Sequence, residues 1–569
     1  MLYYRYIFKP SIPVINMFTR IIKIKKNGKT YKYLRLVENV WQDGKTKQRV
    51  VANLGNVDTL NTSKIDSAIL SLLRFSSGYF KDIRSLKTKT VQHFGELLAG
   101  EKIWQTLGMN NILKRHLNSS RLSGDAPLLV KTMALSRLVE PTSKLALSEN
   151  YHRLALTDLA DKSFACQDFY RAMDELIPRK EAVEIDLHER EKDLFSLNLN
   201  LVFYDLTSSY FEGGHCPLGK HGYSRDHRRD LEQVVIGLLV TDEGLPIAHQ
   251  VYTGNRKDST TLTDQINSLK KTFGIKQCVL VVDRGMVTED NLVELTGEGY
   301  QYIVALRKRK QSLFQPILSD LSSCMQPVEG QKSLSGFETR LQEFGADRVV
   351  ICYNPDKAEV EARHRKDRLD KAGARLSDIQ ALFLSGKRKD REKLLQQAAR
   401  YLERTKLTRF WSLRTDKESG IYFTLNRDKV DFEAKLDGLF ILRTNRTDIT
   451  LAEVVSAYKT LARVESAFKE LKNFIDLRPM YHWSEDRVRA HIFICVLAYL
   501  VEVCIDIRLK SAGLEMTARR ALQHLSEIKL VKQEIDGLQL CTYSQPSLDS
   551  RKIISALGLH LPKEKLFVN

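Results

Sequence analysis

The sequence predicts a multidomain α+β protein. A mixed α/β core is interrupted by an insertion, and a small β-meander and a helical region precede it. Three observations carry this. The opening segment is rich in strand formers and holds two hairpin-turn dipeptides. A long stretch with helical three- and four-residue spacing follows it. From residue 199, continuous apolar strands appear, give way to a charge-dense stretch, and return near residue 437. A length of 569 residues is too great for one ordinary domain.

Residues 1–60 hold the meander. Asn27-Gly28 and Asp43-Gly44 are both hairpin dipeptides, and YKYLRLVENVW lies between them. Segment 20–49 carries ten Lys and Arg against Glu38 and Asp43, so the sheet is either a solvated basic edge or a face for phosphates. Residues 61–198 read as helices, among them HFGELLAGEKIWQTLG and APLLVKTMALSRLV; with basic residues between them they suit DNA docking. Residues 199–310 form the first part of the core, with strands LNLVFYDLT, EQVVIGLLVT, LPIAHQVYTG, QCVLVVDRG and YQYIVALRK. Residues 311–430, dense in charge, read as solvated helices of an insertion. The strand DGLFILRTN and a long helix return in 431–510, and 511–569 reads as a C-terminal helical region with a strand-like LQLCTYS.

Composition narrows the classes. Lys plus Arg number 89 against 70 Asp plus Glu, a net charge of +19, which favours a polyanion such as nucleic acid. Eight scattered cysteines without a CxxC pair read as reduced thiols of a cytoplasmic protein, and His215-Cys216 lacks a second ligand pair for zinc. The longest apolar run, Ile492–Val501, is too short to span a bilayer and reads as a buried helix. The first residues lack the apolar centre of a secretory signal, and Met17 is an alternative start. No Walker A loop, GxGxxG or HExxH occurs.

Three carboxylates stand out. Asp205 follows LVFY and Asp283 follows VLVV, each placed by the sequence at the carboxyl end of a buried strand, where open sheets collect their sites. Glu465 lies on a helix with Tyr458 and Lys472, each seven residues away. On a regular helix this spacing falls only about 20° short of two turns, which puts the three on one stripe. Leu461, Val464, Phe468, Leu471 and Ile475 form the adjacent apolar stripe. Taken alone, a strand-end Asp is more often a cap or turn former, and the heptad spacing can arise by chance on a solvated helix. Together they suit phosphodiester cleavage, in which two Mg²⁺ about 3.5–4 Å apart activate water and stabilise the leaving oxygen. Magnesium prefers carboxylate oxygens and needs few protein ligands.

At these residues the chain resembles the DDE transposases of bacterial insertion sequences, specifically the IS-four superfamily. The matching blocks are YLRLVENVWQDGKTKQRVVANLG, FYDLTSSYFEG, YSRDHRRDLEQVVIGLLVTDEGLPIAHQVYTGNRKD, VVDRGM, YKTLARVESAFKELK and RPMYHWSEDRVRAHIFICVLAYLVE, in order from about residue 20 to 510. The resemblance implies an RNase H-like core with Asp205, Asp283 and Glu465 as catalytic, metal-binding residues. It also implies two Mg²⁺, for which Mn²⁺ can substitute. The superfamily's helix signature, Tyr-x2-Arg-x3-Glu-x6-Lys, matches at Tyr458, Glu465 and Lys472, but Leu461 stands at the Arg position. Arg463 projects about 160° from Glu465, whereas Lys469 lies only about 40° away and is the candidate replacement. Tyr458, Lys469 and Lys472 are therefore the expected DNA phosphate contacts, and Trp411 in the insertion either packs in its core or stacks a flipped base.

The expected function is binding of the element's terminal inverted repeats, cleavage, and transfer of the 3′-hydroxyl ends into target DNA. The expected partner is double-stranded DNA, bound in a salt-sensitive way by a homodimer that bridges two ends, with no membrane and a nucleoid-associated place in the cytoplasm. Two alternatives remain: a catalytically silent DNA-binding relative, and an RNase H-like nuclease without strand transfer.

Overall fold

The computed structural model describes every residue except 1–16, 27–28, 43–44, 61–86, 118–124, 196–200, 263, 265–271, 274, 276–277, 283–286, 307–323, 332, 389, 417–419, 536–537, 563–564 and 568–569. The described chain divides into two units. One draws on residues 1–92, 528–545 and 561–569, the other on 93–527 and 546–560.

In the first unit, β1 (Met17–Lys26), β2 (Lys29–Gln42) and β3 (Lys45–Asn56) form an antiparallel meander. The pairs Lys26↔Lys29 and Gln42↔Lys45 leave two residues per connection, the length at which Asn-Gly and Asp-Gly act; both dipeptides lie outside the described residues. The unit also holds a four-stranded sheet that the sequence reading lacked. There β4 (Lys87–His93) joins β16 (Lys529–Ile535), β17 (Leu538–Tyr543) and β18 (Lys565–Phe567) in the order β18-β17-β16-β4. Residues 61–198 are thus not helical throughout, and 511–569 is not simply helical. KTKTVQH and KLVKQEI are short, polar and weakly alternating, so pairing partners distant in sequence decide their conformation.

The second unit begins with six helices: α1 (Gly95–Thr106), α2 (Met109–Leu117), α3 (Ala126–Val139), α4 (Lys144–Asn150), α5 (Cys166–Leu176) and α6 (Lys180–Phe195). Asp125 caps α3 by accepting from Leu128 N, with Pro127 in the first turn, and thirteen of its fourteen residues are buried.

A nine-stranded mixed sheet follows. Its strands are β5 (Leu201–Tyr210), β6 (Gln233–Thr241), β7 (Pro246–Thr253), β8 (Val279–Val282), β9 (Gln301–Leu306), β10 (Gln326–Pro327), β11 (Ser335–Arg340), β12 (Arg348–Tyr353) and β15 (Leu439–Thr444), in the order β10-β11-β12-β15-β9-β8-β5-β6-β7. The β5–β8 and β8–β9 pairs are parallel and the others antiparallel. Val202, Tyr204 and Leu206 alternate onto one face, where they pack with Leu280, Val282 and Val304 and with Leu292 and Leu295 of α7 (Glu289–Gly297).

Strands β10 to β12 fall within 311–430, so the sheet takes in part of the stretch read as solvated insertion. The chain leaves it only after Tyr353, through α8 (Pro355–Leu384), α9 (Arg391–Arg404), the hairpin β13 (Trp411–Asp416) and β14 (Gly420–Leu425), and α10 (Arg427–Lys435). Tyr353 pairs with Leu439 and Asn354 N donates to Gly438 O at 3.0 Å, so the chain departs and returns at one point. This excursion has its own core around Leu369, Leu376, Leu394, Leu402 and Ile421, against which Trp411 is partly buried.

After β15 come α11 (Leu451–Thr460), α12 (Ala462–Asn473) and α13 (Glu485–Ser511). Residues Ile492–Glu502 of α13 are buried on every side, where it packs against α1, α3 and α5. Two shorter helices, α14 (Ala518–Leu525) and α15 (Leu548–Ala556), complete the unit. Among the described residues no helix is long and apolar enough to cross a membrane, and no disulfide forms.

Candidate active site

Asp205 is not at a strand end. β5 continues five residues beyond it to Tyr210, paired with β6 through Asp205↔Leu238 and onward to Tyr210↔Gln233. The polar LTSSY that follows continues the strand because β6 pairs with it along its length, and Ser208 and Ser209 are buried. The pairing with parallel β8 is described as far as Val282, opposite Tyr204. Asp205 is the next residue of β5 after that pair. Asp283 is the next residue after Val282 in the chain and lies outside the described residues. Asp205 is half-buried, and its Oδ1 accepts from Leu206 N at 2.7 Å.

Alternation along β5 puts Asp205 on the face opposite Tyr204 and Leu206. Helix α12 packs on β5, and its buried residues Val464, Ala467, Phe468 and Leu471 take no part in the Tyr204 cluster. Asp205 and the helix carrying Glu465 thus share one face of the sheet. The apolar stripe is as expected: Leu461, Val464, Phe468, Leu471 and Ile475 are all buried, and Glu465 is exposed.

The long regular helix is not. α11 ends at Thr460 and α12 begins at Ala462, with Leu461 N bonded to Tyr458 O at 3.1 Å and Val464 N to Leu461 O at 3.0 Å. These i→i−3 bonds tighten the turn between the two helices, while Glu465 and Lys472 stay in phase on α12. Tyr458 stacks on Phe440 of β15, ring centroids 6.3 Å apart at 20°. Lys469 is exposed. Lys472 is largely buried, and its Nζ donates to Asp226 Oδ1 at 2.8 Å. Burial lowers the Lys472 pKa from its ordinary value, and the Asp226 charge opposes that shift.

Asp226 and its second partner, Arg478, had no role in the sequence reading. Both lie in blocks quoted for the resemblance, YSRDHRRD and RPMYHWSED, so position within those blocks was the available signal. Arg478 follows α12, where the chain doubles back onto the end of β5: Met480 N donates to Tyr210 O at 3.1 Å and Glu212 N to Met480 O at 3.0 Å. Close by, Arg225 bonds Asp258 at 2.7 Å, and Arg228 lies over the Tyr210 ring at 5.2 Å. Tyr223, Tyr481 and Trp483 are exposed aromatics on these segments. Among the described residues no group of three or more His, Cys, Asp or Glu is poised to hold a metal, a set that excludes Asp283.

A transposase DDE domain model matches residues 202–501, more than half of the chain and the whole stretch from Asp205 through α12. The chain belongs to the DDE transposases of insertion sequences. A model of the IS1634 family transposase N-terminal domain matches residues 19–83, which begin in the meander. As a DDE transposase the protein is a DNA-cleaving enzyme, of a family that generally uses divalent metal ions. Among solved structures it is similar to a piggyBac transposase synaptic complex with hairpin DNA, at 9% identity and a TM-score of 0.35, covering 76% of this chain and 80% of that one. No curated protein matches it.

Proposed function

We propose that this transposase binds the terminal inverted repeats of its insertion sequence, cleaves the DNA there, and joins the freed 3′-hydroxyl ends to target DNA. Asp205, Asp283 and Glu465 form the acidic triad of an RNase H-like core. One observation supports this most. Asp205 lies just past the Tyr204↔Val282 pair, on the sheet face that carries the Glu465 helix, while Asp283 follows Val282 in the chain. Separate sequence blocks thus meet around one pair of neighbouring strands.

The donor set is all carboxylate oxygen, one half-buried and one exposed, which suits Mg²⁺ with its retained waters better than a thiol- or imidazole-preferring ion. Bound there, the ions would supply an activated water or 3′-hydroxyl and charge stabilisation at phosphorus. Lys472, Lys469 and Tyr458 would contact phosphates, Lys472 from its place beside Asp226. The helices of 93–195 would dock the DNA ends, and a homodimer would hold two ends together.

The test is cleavage of duplex DNA carrying the element's end by the purified protein. Activity is expected with Mg²⁺ or Mn²⁺ and not with EDTA. Asp205→Ala, Asp283→Ala and Glu465→Ala should each reduce cleavage by at least about 1,000-fold while binding stays within a few-fold. Wild-type binding without any cleavage would instead favour a silent DNA-binding relative.

A further inference from the structure

Asp226 is 5% exposed in the loop between β5 and β6, and its Oδ1 receives both Lys472 Nζ, at 2.8 Å, and Arg478 Nη1. Its Oδ2 is buried with no hydrogen-bond partner among the described residues. Two cations on one oxygen, with the other idle, is a poor way to satisfy a buried carboxylate. It is a direct way to bring two cations to one point.

The loop that presents Asp226 is fixed to the strand of Asp205. Arg225 N donates to Ser208 Oγ at 2.9 Å, three residues along β5 from Asp205, and Arg228 N donates to Ser224 Oγ at 3.1 Å. Lys220 bridges Gln233, and Gly254 N donates to Leu218 O at 3.1 Å. The contact at Gly222 and Gly254 is so close that a Cβ on Gly222 would lie 2.1 Å from Gly254 O. Lys472, for its part, stands seven residues after Glu465 on α12. The Asp226–Lys472 bond therefore ties the strand of one proposed metal ligand to the helix of another.

We propose that Asp226 is a positioning residue of the DNA-cleavage site: from the β5–β6 loop it holds Lys472 and Arg478 where they meet a phosphate of the bound DNA. This rests on the reading of the site given above. Arg478 then supplies the second cation that Leu461 cannot, since Leu461 occupies the signature's Arg position and is buried.

The experiment measures the single-turnover cleavage rate at saturating DNA and, without divalent metal, the Kd. The DNA is a fragment carrying the sequence that flanks this chain's own reading frame. The proteins are wild type, D226N, D226E, K472Q and D226N/K472Q, with thermal unfolding of each as a check on folding. D226N should lower the saturating rate by about a hundredfold, the scale of a small misplacement at a reacting centre. Its Kd should not weaken, because the change removes a negative charge next to a polyanion. D226E should fall between D226N and wild type, and D226N should cost less in the K472Q background than in wild type, since only Arg478 is then left to misplace. A D226N rate equal to wild type, or D226N and K472Q losses that multiply, overturns the proposal. If D226N fails to fold, D226E decides, and a full wild-type rate from it is the overturning result. If the wild type binds the DNA but never cleaves it, the reading of the site fails and the proposal with it. Wild-type cleavage with an unaffected D226N sinks the proposal alone.

Discussion

Burial treats the carboxylates of this chain differently: Glu465 is exposed, Asp205 half-buried, and the side chains of Asp226 and Glu502 are almost wholly enclosed. Asp205 after LVFY and Glu465 beside an apolar stripe could be singled out because they fall in blocks that match one family in order. Asp226 could not, because YSRDHRRD reads as a solvated charged loop, and only the fold turns its carboxylate inward onto Lys472. Another enclosed carboxylate is Glu502, which ends the apolar run of α13. It is 3% exposed, one of its oxygens has no partner among the described residues, and its pKa is pushed up to about 9. Burial is the main cause, with the neighbouring Glu470 and Asp506 charges adding to it and Arg519 opposing. The folded protein thus keeps a proton that the unfolded chain releases above about 4.5, so the unfolded state binds fewer protons between those values. This contribution to stability is complete below about pH 4.5 and lost as pH rises toward 9, by at most about 1.4 kcal/mol per pH unit. Thermal unfolding of Glu502→Gln should match wild type near pH 5 and exceed it at pH 8. An unchanged difference across that range would contradict the assignment.

At the scale of elements, the sequence read best where one periodicity ran unbroken. The buried strands and α13 are such cases. It read worst where tertiary pairing overrode local signals. β4 and β16 are polar strands made by each other's company, and β10 to β12 were hidden beside a charge-dense stretch. The break at Leu461 is a subtler loss. Every residue there suits a helix, yet the chain inserts a tight turn between Thr460 and Ala462, and Tyr458 stacks on Phe440. The excursion from Pro355 to Lys435 carries a prediction of its own. Its ends meet at Asn354 and Gly438, it has a separate core, and a short flexible connection closes at slightly lower entropic cost than a long one. Replacing residues 355–437 with a short Gly-Ser turn should leave the remaining chain unfolding in a single cooperative transition in calorimetry. Loss of that transition would mean the excursion is integral to the sheet.

At the scale of the whole molecule, a charge of +19 only suggested a polyanionic partner. What decides the class is the transposase DDE domain match over residues 202–501. β5 and β8 lie side by side in parallel, with α12 on the face of Asp205. Most of this was readable, because the apolar runs LVFY and VLVV are strong strand signals and the matching blocks occur in order along the chain. How the cations are arranged around them was not, since that depends on loops whose contacts are long-range. The most direct measurement is excision from a plasmid bearing this chain's own flanking DNA ends, with Mg²⁺, by wild type and by Asp283→Ala. The account predicts a resealed or linearised donor and a released element with wild type, and neither with Asp283→Ala. Equal excision by both proteins would contradict the acidic triad. Excision by neither, with the ends still bound, would contradict the assignment of this chain as a working transposase.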